Sequence, residues 1–132
     1  MLVPAEELRA LAEGILCANG VPPAHAKIQA GLFVEAELRG VPSHGLLRLR
    51  RVIERIKAGL SVPGGSGTQV WTARSFLSVD GNRGLGPVVA MAALEAIMPR
   101  ARAKTASPSP LSATPIIWGR LPIMPSMSPS WA

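Results

Sequence analysis

Residues 39–60 read RGVPSHGLLRLRRVIERIKAGL. Leu46, Leu49, Ile53 and Ile56 recur at helical spacing behind Pro42 and Ser43. The stretch therefore predicts a helix over 43–58, capped by Ser43, closed by Gly59 and buried along those four apolar side chains. On such a helix Arg48 lies four residues after His44, so both project from one face. A histidine exchanges a proton near neutral pH, and an arginine grips a carboxylate through two parallel hydrogen bonds. The pair suits a small acid whose carboxylate adjoins a reacting carbon. Spacing alone favours a plainer reading, a capped helix with solvated His44 and Arg48.

Upstream, residues 4–19 and 22–39 predict two more helices. Pro4 opens the first, with Glu6 and Glu7 at the positive end of its dipole. Leu8, Leu11, Ile15 and Leu16 form its apolar stripe, and Gly20 stops it. Pro22 and Pro23 open the second, Ile28, Leu32 and Ala36 mark one face, and Gly40 ends it. His25, near its start, reads as a surface residue. Downstream, Pro63, Gly64 and Gly65 make a loop. Residues 70–72 and 75–79 are short strands joined tightly near Ala73 and Arg74, 80–84 is a turn, and 86 to about 102 is a helix. The fold class is α/β: N-terminal helices, then short strands and a helix.

The 132 residues amount to one domain at most, and 48% hydrophobic content is that of a globular chain. The most apolar run, 86–98, is broken by Glu95 and falls short of the ~18 residues a membrane helix needs. No secretory signal is visible. The single cysteine, Cys17, has no internal disulfide partner, so a cytoplasmic setting is the default, with Cys17 as a packing residue. No metal-ligand cluster is expected. The net charge of +6 raises the question of nucleic acid. Yet all eight acidic residues lie at or before Glu95, so much of the excess comes from an acid-free tail. Residues 104–132 hold six of the 13 prolines and two of the three tryptophans, with no helical or alternating period. They are expected to be a disordered Pro/Ser-rich tail behind a domain of residues 1–103.

The ordered set of Ser43, His44, Gly45, Arg48 and the ERIKAG run at 54–59 resembles the signature of the type-2 malate/L-lactate dehydrogenases. VDGNRGLGPVVAMAALEAI at 79–97 resembles that family's D-G-x-x-G-x-G turn and following helix. The likeness spans about residues 4–103; Pro42 departs from it, standing where a polar residue is usual. The resemblance implies a sulfolactate-dehydrogenase-like fold, distinct from the Rossmann fold. It implies hydride transfer between NAD or NADP and a small 2-hydroxy or 2-oxo acid, in a homodimeric parent that binds neither nucleic acid nor membrane. Arg48 would hold the substrate carboxylate. His44 and Ser43 would be the catalytic candidates lining the substrate pocket, with His44 a second acid/base candidate beside the histidine of the family's later R-N-x-N-H-x-G motif, which would be the principal proton shuttle. The cofactor-binding residues stay unassigned, and the 80–86 turn reads as structural in preference to cofactor-facing.

The family's next motifs, R-N-x-N-H-x-G and then Y-Y-A-E, are missing after Ala103. The genetic code supplies a test. Each codon of the neighbouring frame takes the last base of one codon of this chain and the first two of the next. Across 112–119 that frame permits R-N-A-N-H-L-G, and Trp118 followed by Gly119 forces the glycine. Across 121–126 it permits A-Y-Y-A-E, and Met124 followed by Pro125 forces the second alanine. Both forced residues fall where the family wants them. The tail therefore reads as the right gene in the wrong frame from about residues 102–104, and the 132-residue chain is expected to be inactive.

Two alternatives come from other classes. Helices 22–39 and 43–58 mimic a basic helix-turn-helix nucleic-acid-binding module, with Arg48, Arg50, Arg51, Arg55 and Lys57 as its cations. A small helical interaction protein with a docking proline tail is the other, but the tail has no regular P-x-x-P repeat.

Overall fold

The computed structural model describes residues 2–105 and 116–120. The chain divides into two compact units, Met1–Gly65 and Ser66–Ala132.

The first unit is helical: α1 (Ala5–Ala18), α2 (Pro23–Leu38), a 3-10 turn (Pro42–His44) and α3 (Leu47–Lys57). Its core joins Ala12 and Leu16 of α1 to Ala26, Ala30, Phe33 and Val34 of α2, with Val21 between the helices. On α2 the buried positions 26, 29, 30, 33 and 34 form one helical stripe. Of the expected face only Ala36 is buried, beside that stripe. Leu32 is 48% exposed and Ile28 only half-buried. Apolar side chains surround α2, so its period does not choose a side. The small side chains Ala26 and Ala30 let α1 approach, and that contact makes the choice. On α1, Leu11 likewise leaves the stripe at 61% exposure, and Cys17 is exposed instead of packed.

Gly40 shows how these helices stop. Its φ of +70° suits a residue without a Cβ. That bend lets Val41 N–H reach Ala36 O at 2.8 Å and Gly40 N–H reach Glu37 O at 3.0 Å, which satisfies carbonyls left over at the helix end. The predicted stops at Gly20 and Gly59 close in the same manner.

The predicted helix over 43–58 starts later than expected. Residues 42–44 form the separate 3-10 turn, and α3 begins at Leu47 with Leu46 in the capping position. Ser43 makes no cap bond. Proline fixes φ at Pro42 and favours a tight turn, and Gly45 leaves it extended at ψ −146°. The expected buried face of α3 is only half-buried at Leu49, Ile53 and Ile56, as is Leu46 before it; no residue of α3 is fully buried.

The second unit contains β1 (Thr68–Ala73), β2 (Phe76–Asp80), α4 (Gly86–Thr105) and β3 (Ile116–Arg120). β1 and β2 form the expected hairpin, antiparallel with Val70 opposite Ser78 and a bulge between Trp71 and Ala73. β2 presents Leu77 and Val79 on one face. They pack with Val89, Ala93 and Ile97, spaced four apart on α4. The Arg100 guanidinium lies 3.6 Å from the ring centroid of Trp71 in β1, a cation–π contact within this unit. The sequence reading placed no element beyond residue 102. Instead α4 reaches Thr105, and 116–120 pairs parallel to β2, with Ser78 opposite Trp118. The reason is visible in the composition. Ile116, Ile117 and Trp118 favour strand, and no proline falls between Pro115 and Pro122. The rest of the expected disordered tail, 106–115 and 121–132, lies outside the described residues.

Candidate functional site

Ser43, His44 and Arg48 meet where α2 ends and α3 begins, but not as residues of one helix face. His44 belongs to the 3-10 turn and Arg48 to the first turn of α3. Bonds through Ser43 join them instead. Arg48 Nε donates to the Ser43 carbonyl oxygen at 2.9 Å. Ser43 Oγ and His44 Nδ1 lie 3.0 Å apart. Ser43 thus engages Arg48 through its backbone and His44 through its side chain. Among the described residues nothing else pairs with the terminal nitrogens of Arg48 or with His44 Nε2. The cluster opens to solvent: Pro42, Ser43 and His44 are exposed and Arg48 is half-buried.

The turn is closed on itself by backbone bonds. His44 N–H donates to Val41 O and Gly45 N–H to Pro42 O, each at 3.0 Å. Arg48 N–H donates to Gly45 O, also at 3.0 Å, starting α3. The sequence reading missed Glu37 here. Its Oε1 accepts Leu46 N–H at 2.8 Å, taking the capping role expected of Ser43. A Cβ on Gly45 would collide with that carboxylate oxygen, so glycine at 45 admits it. The spacing of nine residues gave no local signal for this pair.

Chemically, the cluster offers a fixed guanidinium with free donors for an oxyanion, next to an imidazole with a free ring nitrogen. His44 Nδ1 holds the proton if it donates to Ser43, and Nε2 holds it if Ser43 donates; the two tautomers make Nε2 an acceptor or a donor.

The other motif residues serve their own loop. Asp80 Oδ1 accepts Asn82 N–H at 2.9 Å, Asn82 Nδ2 donates to Thr68 Oγ1 at 2.6 Å, and Asn82 and Arg83 take positive φ. Gly84 N–H is spent on Gly81 O at 2.7 Å, and Gly81, Gly84 and Leu85 are buried. Two amides of the turn before α4, those of Asn82 and Gly84, are thus engaged within the turn itself. His25, expected on the surface, is half-buried, and its Nδ1 bonds Pro63 O at 2.9 Å.

Between α1 and α3 lies an open groove of about 430 Å³ lined by Ile15, Leu49, Arg50, Ile53, Glu54 and Lys57. None of the three site residues lines it. Arg50 pairs with Glu54 at 2.8 Å on an exposed surface, a solvated ion pair that contributes little. No described group of three or more His, Cys, Asp or Glu residues is placed to hold a metal ion, and no described helix is long and apolar enough to cross a membrane.

Comparison with known proteins points one way. Residues 3–108 match the malate/L-lactate dehydrogenase family. The malate/(S)-sulfolactate dehydrogenase of Methanothermus fervidus is 36% identical over 102 residues, 77% of this chain and 30% of that protein. A dehydrogenase structure from Sinorhizobium meliloti superposes with a TM-score of 0.75 at 46% identity, over 79% of this chain and 33% of that one. The malate dehydrogenase of Pyrococcus horikoshii OT3 gives a TM-score of 0.73 at 33% identity, over 78% and 30%. This chain spans about 30% of the length of the curated relatives it matches. Nothing in these likenesses supports a helix-turn-helix module.

Proposed function

Because the chain belongs to the malate/L-lactate dehydrogenase family, we propose that its parent protein is an NAD(P)-dependent oxidoreductase that moves a hydride to or from C2 of a small 2-hydroxy or 2-oxo acid. Within that reading Arg48 binds the substrate carboxylate through its terminal nitrogens, and His44 Nε2 lines the reacting centre as a secondary acid/base group, while the histidine of the missing R-N-x-N-H-x-G motif is the principal proton shuttle at the C2 oxygen. Ser43 orients Arg48 and His44. The observation that carries the assignment is the Arg48–Ser43 bond at 2.9 Å, which sets a guanidinium beside the Ser43–His44 pair. An arginine held at Nε is pre-organised for a bidentate carboxylate. The cofactor is left to parts of the parent outside the described residues. We place the parent in the cytoplasm as a homodimer.

The same reading takes residues 104–132 as a frameshifted tail. The neighbouring frame permits R-N-A-N-H-L-G and A-Y-Y-A-E in the order the family motifs require, with two residues forced by single-codon Trp118 and Met124. It follows that the 132 residues alone turn over no substrate. Loss of an essential acid or base typically costs ~10²–10⁴-fold in rate, and loss of the cofactor's seat costs more.

The test is an assay of two purified proteins: the 132-residue chain, and the product with its frame restored near codons 102–104. Malate and sulfolactate are offered with NAD or NADP, and oxaloacetate with the reduced cofactors. Activity only in the restored protein supports the reading. Turnover by the 132-residue chain overturns its inactivity, and an inactive but folded restored protein overturns the substrate class.

A further inference from the structure

We infer that Glu37 is the positioning residue for the Ser43–His44–Arg48 cluster, acting as a cap delivered to α3 from the last turn of α2. The cluster's role in binding an acid rests on the function proposed above; the role of Glu37 stands on geometry.

A helix start leaves N–H groups without intrahelical partners. Arg48 N–H and Leu49 N–H find the local carbonyls of Gly45 and Leu46, but no local side chain serves Leu46 N–H, because Leu46 sits in the capping position and Ser43 makes no cap bond. Glu37 serves it from nine residues away, accepting Leu46 N–H at 2.8 Å. Its negative charge also lies at the favourable end of the α3 dipole. It is half-buried, and among the described residues no cation competes for it. Glu35, two residues earlier, is by contrast paired with Arg39 at 2.7 Å on the surface.

The bond closes a ring of chain. Val41 N–H on Ala36 O fixes the exit from α2, and Leu46 N–H on Glu37 Oε1 fixes the entry to α3. Ser43 and His44 lie between these two anchors. Arg48 comes two residues after the second, and its Nε returns to Ser43. If the entry to α3 moves, the Arg48 guanidinium moves relative to Ser43 and His44. Gly45 is the complementary half of the device. Its φ of −89° is open to any residue, so what glycine provides there is room: a Cβ would strike the Glu37 carboxylate and displace that side chain from Leu46 N–H.

The experiment uses the 132-residue chain and its E37A, E37Q, G45A and E37A/G45A variants. Hydrogen exchange at the Leu46 amide and the Arg48 Nε–H signal are followed by NMR. E37A is expected to speed Leu46 exchange about tenfold, as loss of a charge-assisted bond should, and to erase the distinct Arg48 Nε–H signal. E37Q keeps an acceptor oxygen and restores both. G45A reproduces E37A by displacing the carboxylate. In the double variant the G45A change adds nothing, because the group it displaces is gone. Unchanged Leu46 exchange in E37A, or fully additive effects in the double variant, overturns the proposal. So does a fall in melting temperature with the Arg48 signal intact, since a merely structural Glu37 would behave that way. Adding malate to the wild-type chain tests the acid-binding reading separately. If Arg48 fails to respond to malate while the Glu37 effects persist, the function fails and the positioning role survives.

Discussion

Arg48 and Ser43 are joined by a bond between the side-chain Nε of one and the main-chain carbonyl of the other, 2.9 Å long. The anchor consumes Nε and with it the side-on fork that Nε forms with a terminal nitrogen, so a carboxylate is left the end-on fork of the two terminal nitrogens. It leaves both terminal nitrogens, and it ties their position to the turn that carries His44.

Replacing Arg48 with alanine in the frame-restored protein should therefore lower kcat/KM for the acid substrate by about 100-fold, equivalent to ~2.7 kcal/mol for charge-assisted bonds lost at a carboxylate. R48K should recover little, because an ammonium cannot supply the planar fork or keep the Nε anchor. Steady-state kinetics on both variants is the check, and equal activity in R48K and wild type would contradict the bidentate role.

His25 holds the 60–65 loop through the Pro63 carbonyl at 2.9 Å. H25A should cost about 1 kcal/mol, typical for one partly buried hydrogen bond. Urea denaturation reads the loss, and limited proteolysis should show faster cutting at the 60–65 loop.

Phe33 is 2% exposed and Leu77 is 0% exposed, each inside the core of its own unit. F33A should destabilise by ~3–5 kcal/mol and L77A by ~2–5 kcal/mol through lost burial and the cavity left behind. L11S, at a position 61% exposed, should stay within about 0.5 kcal/mol. Leu11 and Phe33 look alike in an apolar pattern, so the contrast in melting curves tests which face of each helix is buried.

R100A removes the cation over Trp71. The expected cost is ~0.5–1 kcal/mol, the range for a solvent-accessible cation–π contact, read as a small fall in melting temperature. R100K should retain part of it.

Resequencing the coding DNA across codons 102–104 and past the stop is the direct test of the tail. A single-base change that restores R-N-x-N-H-x-G and a long frame makes the tail an artefact. The same motifs in the neighbouring frame of confirmed DNA make it a broken gene. Their absence leaves the tail without this explanation.

Much of the fold was legible because it is local. Gly20, Gly40 and Gly59 end helices as expected, since a residue that accepts positive φ announces a stop. The pair of strands expected at 70–72 and 75–79 was legible from the tight link between them, and the structure extends them to Thr68–Ala73 and Phe76–Asp80. What stayed hidden depended on partners distant in sequence. The face of α2 is chosen by α1. The start of α3 is set by Glu37, and Ser43 resembles a cap without serving as one. At the candidate site, residue types and order singled out Ser43, His44 and Arg48 as candidates, but they do not share the helix face expected to unite them. A backbone carbonyl joins them instead, and no sequence pattern encodes an acceptor that every residue carries.

The α1–α2 core has a consequence for how the chain is made. Leu16 shares that core with Phe33 and Val34 across a four-residue connection, and Gly40 seals the second helix. Contacts this close in sequence form fast. On a ribosome they come together while the codons beyond residue 60 are still being decoded, because domains assemble in order of synthesis. The α1–α2 contacts draw on no residue beyond Gly40, so the downstream codons do not enter them. A gene damaged there would still yield a structured N-terminal piece, and its persistence in the cell would depend on proteolysis of the remainder.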